Sequence, residues 1–522
     1  MFIIENAYLI DGLNNPPCIT QVKVEDNRIV EIGENLERDS HSIIDAEGKT
    51  LMPGLIDAHC HITFDEPNSN DELFFHRREG LSAIIAAHNV QKLVRAGVTG
   101  FLDADSVFDV GVDLRDAIEA GLISGPRMST GGNALLTAVG GTAGRLLPDE
   151  GRRGYGKIVR NRDEIINETR RQIKNGVDWI KVHVTGLTPR QKSSGEVQVW
   201  SLDELKTVVD TAHELETPVV GHCRNASSTR DAAKAGFDLI LHATHMDDEA
   251  VDAVIEYKTP IVPTFTFQAN LADYGEVVGA SQEIRNIFKR EIVDSSETLR
   301  RAYDNGVPLL CGTESGFSIT PYGEWHYREL EVFIKYLGMS NLEAIQCGTS
   351  SCARAIGLDG ETGAIEVGRL ADMIIVNGDP SKDICVLGNK KNITKVFIGG
   401  EEINLSDLPQ ITDPPEWRAG TYGSQKLNWD LLSKNPSAIH LLANNLHHLN
   451  WNYVSMNPQA LSWLELEPDI INWFYLSKNP KGSFLLERNI NQVHWGSCSR
   501  YLEDTHFLKV HLIESVPYFR FL

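Results

Sequence analysis

No apolar run in this chain approaches the roughly 20 residues that a helix needs to cross a hydrocarbon core, so the sequence encodes no helical membrane span. The first residues, Met1-Phe2-Ile3-Ile4-Glu5-Asn6, lack a basic segment followed by an apolar stretch and a small-residue cleavage site. The expectation is a cytoplasmic protein without a secretory signal. Cysteine pairs are missing as well. The eight cysteines (18, 60, 223, 311, 347, 352, 385 and 498) are scattered, with no C-x-x-C. Cys60, Cys223 and Cys311 fall inside predicted strands, which suits buried reduced thiols better than a disulfide framework. Positive charge is scarce: 49 Lys and Arg against 72 Asp and Glu leave a net charge of −23. The field of such a chain repels nucleic acid and anionic membranes, which argues against both as partners and leaves room only for a local basic pocket. No G-x-G-x-x-G follows a predicted strand, so dinucleotide binding has no support.

What is present divides into three patterns. A chain of 522 residues exceeds one simple core, and two or three domains are expected. Both flanks of the region 1–405 are β-rich. Phe2–Ile10, Thr20–Glu25 and Arg28–Ile32 read as strands around a Glu25-Asp26-Asn27 turn, and Gly363–Val367, Ala371–Val376 and Ile393–Ile398 match them far downstream. Neither set makes a comfortable sheet alone, so 1–54 and 361–405 are predicted to form one small composite β-sandwich domain. Between them, over 55–360, eight strand candidates alternate with helical patterns such as Leu81–Ala96, Arg162–Asn175, Leu202–Glu214 and Ser281–Asn305. The strands are Leu55–Ile62, Thr99–Ala104, Arg127–Gly132, Trp179–Thr185, Val219–Arg224, Leu239–Thr244, Ile261–Phe265 and Leu309–Ser315. This α/β alternation fits a (β/α)8 TIM barrel, with an open doubly wound sheet as the alternative.

The third pattern is a repeat. Asn428-Trp429, Asn450-Trp451, Asn472-Trp473 and His494-Trp495 recur every 22 residues, and Asn435-Pro436, Asn457-Pro458 and Asn479-Pro480 keep the same period. Asn before Pro suits the N-cap and first position of a helix. Residues 426–496 are therefore predicted to be a small α-helical repeat array with Trp and Leu packing between units. The stretch 406–425 reads as a linker, and 497–522 as a cap or tail.

Chemistry concentrates at predicted strand ends, where barrel enzymes keep it. His59 and His61 close the first strand in Pro53-Gly54-Leu55-Ile56-Asp57-Ala58-His59-Cys60-His61. Residues i and i+2 share a strand face, so the two imidazoles point together and can grip one metal ion. Lys181 lies on the fourth strand, His222 ends the fifth, His242 ends the sixth with His245 as a local rival, and Glu314 ends the eighth.

With these residues in place, the chain over about 1–405 resembles the metal-dependent amidohydrolase superfamily, particularly its imidazolonepropionase-like and prolidase-like branch. The stretches that carry the resemblance are PGLIDAHCH (53–61), LRDAIEAGLISGPR (114–127), DWIKVHVTG (178–186), HATHMDDEA (242–250), GTESG (312–316) and GAIEVGRLADMIIVNGDPSKD (363–383). It implies the barrel with a small β domain and a site for two divalent ions, most often zinc. His59, His61 and Glu314 would hold the more buried ion, and His222 and His242 the second. Lys181, carboxylated by CO₂, would bridge the two. A carbamate is an anion with two oxygens, whereas a free ammonium repels metals. Two cations lower the pKa of a shared water, one of them polarises the substrate carbonyl, and Glu314 shuttles the proton to the leaving group.

Two departures stand out. The family usually has Asp where this chain has Glu314, which keeps the carboxylate one carbon further out. Deaminases of the superfamily tend to place Glu three residues after the histidine at 222; here Asn225 stands there, which favours hydrolysis.

Candidate substrate-binding residues are His183, Arg224, Tyr322 and His326, with Trp325 also near the pocket. Gly140 to Arg145 is expected to be an active-site loop. The reading is a hydrolase of C–N bonds in amide, peptide-like or carbamate substrates. An esterase or lactonase with the same site is an alternative. So is a catalytically silent barrel acting as a scaffold through its repeats, which resemble arrays of the form NWxxLSxNPxAIxLL abundant in giant DNA viruses. Expected partners are a small-molecule substrate, further copies of the chain in a homo-oligomer, and a protein partner for the repeats.

Overall fold

A computed structural model of the chain describes residues 1–38, 41–64, 77–137, 139, 154–188, 192, 195–317, 319–408, 429–443, 445–508 and 510. The chain divides into two units, Met1–Pro414 and Pro415–Leu522. Among the described residues no helix is long and apolar enough to cross a membrane. The glycine-rich run 140–145 and most of the predicted linker and tail lie outside the described residues.

The strands of the first unit, in chain order, begin with β1 (Phe2–Leu9), β2 (Cys18–Glu25), β3 (Arg28–Gly33), β4 (Ser42–Asp45) and β5 (Thr50–Pro53). The central region supplies β6 (Leu55–Cys60), β7 (Val98–Asp103), β8 (Arg127–Thr130), β9 (Ala134–Leu136), β10 (Gly156–Ile158), β11 (Ile180–His183), β12 (Thr185–Gly186), β13 (Val197–Gln198), β14 (Val219–Cys223), β15 (Leu239–His242) and β16 (Ile261–Val262). The downstream flank returns β17 (Met373–Val376), β18 (Ile393–Ile398) and β19 (Glu401–Glu402).

The apolar alternation of the two flanks is satisfied by pairing them with each other. They form one eight-stranded sheet in the order β19-β18-β17-β5-β1-β2-β3, with β4 also on β1. The seam is antiparallel, with Met373 opposite Pro53 and Val376 opposite Thr50. One face covers a core that mixes both flanks, including Ile4, Val22, Leu51, Met373 and Ile375, and Phe2 stacks on Phe397 at 5.3 Å. The predicted strand Gly363–Val367 is instead a turn. Gly363 takes φ +76° where a Cβ would lie 2.7 Å from the Thr349 carbonyl, and the Ile365 amide bonds Asp11 O at 2.9 Å.

The central strands run parallel, β6-β7-β8 in one ladder and β9-β11-β14-β15-β16 in another. The third predicted strand bridges them by bending. At Gly131 a Cβ would sit 2.1 Å from the Ala104 carbonyl, and Gly132 has φ +62°. Only glycine fits both places, so the chain leaves β7 after β8 and joins β11 through β9. The eighth predicted strand, Leu309–Ser315, is two isolated bridges, Ile261 to Leu309 and Cys60 to Ser315, rather than a continuous ladder. Gly312 passes so close to β6 that a Cβ would lie 2.7 Å from that of His59. The Glu314 amide then bonds His59 O at 2.7 Å, which closes the ring of strands.

In the second unit a helix begins at each of Trp429, Trp451, Trp473 and Trp495. A buried polar ladder fixes the 22-residue period. Ser433, Ser455 and Ser477 accept, through Oγ, from the amides of Asn450, Asn472 and His494 at 2.9–3.0 Å. Asn457 Nδ2 reaches back to Ser433 O and Asn435 O, and Asn479 Nδ2 to Ser455 O. The tryptophans at 451, 473 and 495 pack, partly buried, against a core of Val454, Leu464, Leu476 and Leu486.

Candidate active site

The candidate ligands meet at the C-terminal ends of the parallel strands. His59 lies in β6 and His61 just beyond it, Lys181 and His183 lie in β11, His222 in β14, and His242 ends β15. All of these side chains are buried. Three rim residues have left-handed backbones: His242 at φ 71°, Thr264 at φ 58° and Glu314 at φ 56°. Such conformations in non-glycine residues concentrate at functional sites.

The hydrogen bonds decide which ring nitrogens face inward. Thr264 Oγ1 donates to Val262 O at 3.1 Å and lies 2.9 Å from His59 Nδ1. The hydroxyl proton is thus committed, His59 Nδ1 must donate, and His59 Nε2 carries a bare lone pair. That nitrogen is buried and has no hydrogen-bond partner. His61 Nδ1 donates to the Asp105 carbonyl at 3.2 Å, with the Asp105 carboxylate 2.9 Å away, so Nε2 is the ring nitrogen turned from Asp105. His222 Nε2 lies 2.9 Å from Glu196 Oε2, and its Nδ1 lies 2.9 Å from His242 Nε2. His59, His61 and Glu314 each offer a donor atom within 4.8 Å of the others.

Zn–N bonds run about 2.0–2.1 Å, so two nitrogens 2.9 Å apart can share an ion. Partners on the outer nitrogens are what orient metal-binding histidines. The donor set therefore fits divalent metal: His59, His61 and Glu314 form one group, and His222 and His242 the other.

A profile of the Amidohydrolase family matches residues 50–403. The chain belongs to the amidohydrolase family. This amidohydrolase is 26% identical to ochratoxinase of Aspergillus niger over 421 residues, covering 76% of this chain and 86% of that protein. It is 23% identical to imidazolonepropionase of Thermoplasma volcanium over 399 residues, covering 73% and 89%. Among solved structures, a Xaa-Pro dipeptidase with bound methionine superposes with TM-score 0.66 at 29% identity, covering 77% of this chain and 99% of that one.

The electrostatics of the amidohydrolase site follow from burial and pairing. Burial, with Lys181 nearby, holds His59 well below the usual histidine range, and burial with His222 does the same to His242. Burial also brings His183 down to about 4. His61 is the exception: Asp105 outweighs burial and raises it. Burial alone would raise Asp105, but Lys181, His61 and His183 hold it well below the ordinary carboxylate range. Lys181 Nζ is 3.4 Å and His183 Nε2 3.0 Å from Asp105 Oδ2. Burial raises the Glu314 carboxyl. His59 and His242 are thus held neutral, the state in which an imidazole can ligate a cation.

The four residues read as substrate contacts fare differently. His183 faces the cup, with Asp105 on its Nε2 and its ring stacked on His222 at 5.1 Å. Tyr322 is buried and its hydroxyl accepts from the His61 amide at 3.0 Å. His326 has both nitrogens engaged, Nδ1 on Asp57 at 2.7 Å and Nε2 on the Gly323 amide at 3.0 Å, so it serves the scaffold and has no nitrogen left for substrate. Arg224 pairs with Glu291 and approaches Glu196. His245 is exposed.

Sequence reasoning missed Asp57, Asp105, Glu196 and Thr264. Asp57 sits two residues before His59 on the same strand face, and Asp105 ends the run Phe101-Leu102-Asp103-Ala104-Asp105. Those spacings were available signals. Glu196 and Thr264 had none. A second buried cluster, Asp57, Cys60 and His326, is a hydrogen-bonded strut, because Asp57 also accepts from Thr313 N and Oγ1.

Proposed function

We propose that this amidohydrolase is a metal-dependent hydrolase that cleaves a C–N bond in an amide, peptide-like or carbamate substrate. The observation that carries it is the convergence of the buried His59, His61 and His222 imidazoles, the first with an unpartnered Nε2, on one cup that also contains Lys181, His242 and Glu314. Each of those three rings is held from behind by Thr264, Asp105 or Glu196. When bound, a pair of divalent ions, zinc being the leading choice, supplies an acidified water and a polarised carbonyl.

The chain's own residues supply the rest. Lys181, carboxylated on Nζ, would span the two ligand groups. Asp105, 3.4 Å from that nitrogen, holds the amine in place before carboxylation. Glu314 has a carboxyl raised by burial, which suits a group that takes a proton from water and returns it to the leaving nitrogen. The likeness to a Xaa-Pro dipeptidase and to an ochratoxinase supports amide-type substrates over esters.

The test is turnover of N-acyl amino acids, dipeptides and carbamates by zinc-loaded protein, before and after chelation. Glu314→Gln should keep the fold and lose about 10²–10⁴ in turnover. Full activity of that variant would overturn the proton-transfer role, and activity indifferent to chelation would overturn the metal reading.

A further inference from the structure

We infer that Glu196 is a positioning residue that sets the orientation and tautomer of His222, so that the affinity of the second ion depends on a loop carboxylate. The inference rests on the reading of His222 as a metal ligand. Glu196 does not come from a strand end. It precedes β13, which pairs with β12 in a short hairpin beyond β11. Its Oε2 lies 2.9 Å from His222 Nε2 and accepts from Thr185 Oγ1 at 2.6 Å. Arg224 Nε is 3.8 Å from its Oε1. Its main chain is pinned as well, since Asn225 Nδ2 donates to Glu196 O at 3.0 Å. The carboxylate thus has Thr185 and Arg224 beside it as well as His222, and Asn225 holds its main chain.

An ionised carboxylate only accepts. His222 Nε2 must carry the proton, and the lone pair is left on Nδ1, the nitrogen that faces His242 at 2.9 Å. The ring cannot easily tilt, because His183 stacks against it at 5.1 Å with planes 25° apart. Without Glu196 either ring nitrogen can hold the proton, and the tautomer with a proton on Nδ1 cannot ligate. The same geometry gives Arg224 its role. It stands between Glu196 and Glu291 and steadies the loop carboxylate, rather than waiting for a substrate carboxylate.

The test uses the full chain loaded with cobalt(II), whose visible absorption reports ligand geometry, and competition with a chelator for affinity. Glu196→Ala is expected to weaken one of two ions by about 10–100-fold and to change the cobalt bands. Glu196→Gln, whose amide oxygen still accepts from Nε2, should recover most of both. A merely structural Glu196 would lower the unfolding midpoint of metal-free protein and leave affinity and spectrum unchanged, and that result overturns the inference. Wild-type protein that binds no cobalt overturns the metal reading of the site and the inference with it.

Discussion

Asp57 ties the strand that carries His59 to the segment that carries Glu314, and its replacement by Asn can be followed bond by bond. Oδ1 accepts from the amides of His59 at 3.1 Å and Thr313 at 3.0 Å. Oδ2 accepts from Thr313 Oγ1 at 2.5 Å and His326 Nδ1 at 2.7 Å. Because His326 Nε2 accepts from the Gly323 amide, its proton sits on Nδ1. Asp57→Asn keeps the shape and the two amide bonds to Oδ1. It turns the other position into an NH₂ that faces an imidazole N–H, donor against donor. A hydrogen bond to a charged group is worth about 1.5–3 kcal/mol, and a buried unsatisfied donor costs about 1–3 kcal/mol. The two overlap in this pair, so the expected loss is about 3 kcal/mol. Urea unfolding followed by circular dichroism measures it. In a His326→Ala background the opposing donor is gone, and the same substitution should cost about 1 kcal/mol. A loss below about 1 kcal/mol in the wild-type background, or an equal loss in both, refutes the strut.

Two further outcomes are expected. Glu329 accepts from the Phe265 and Thr266 amides and the Thr266 hydroxyl at 2.7–2.8 Å, at the start of the helix that follows Thr264, and burial pushes its carboxyl up to about 8. The folded state then holds a proton that the unfolded chain has released, so stability falls as pH rises from about 4.5 to 8. Glu329→Gln should remove that slope, which thermal midpoints at pH 5, 6.5 and 8 will show; parallel curves for the two proteins count against it. In the second unit, Asn457→Ala strips a buried side chain from Ser433 O, Asn435 O and the Gln459 amide. The local cost should be about 2–4 kcal/mol, read as faster hydrogen exchange over residues 445–480, and unchanged exchange would dismiss the ladder.

The strand ends were legible because histidines close apolar runs, as in Leu239-Ile240-Leu241-His242, where the chemistry changes at one residue. The two flanks of the small domain were legible because each alternates without a partner of its own. Thr50–Pro53 was not, since four residues carry too little pattern. The residues behind the histidines were harder. Thr264 reaches His59 only because its backbone turns left-handed, and Glu196 follows a polar stretch with no periodicity. Tyr322 and His326 follow Glu314 closely in sequence, which suggests pocket residues. The chain instead turns them onto the His61 amide and Asp57, a direction no spacing encodes.

The cup between β6 and β15 is proposed to hold divalent metal through the six named ligands. The metal content of purified wild-type and Lys181→Ala protein, measured by elemental analysis after dialysis, tests it most directly. About two ions per chain are expected in the wild type, with a loss of metal in a variant that remains folded. A wild type without stoichiometric metal, or a Lys181→Ala protein with unchanged content, would contradict it.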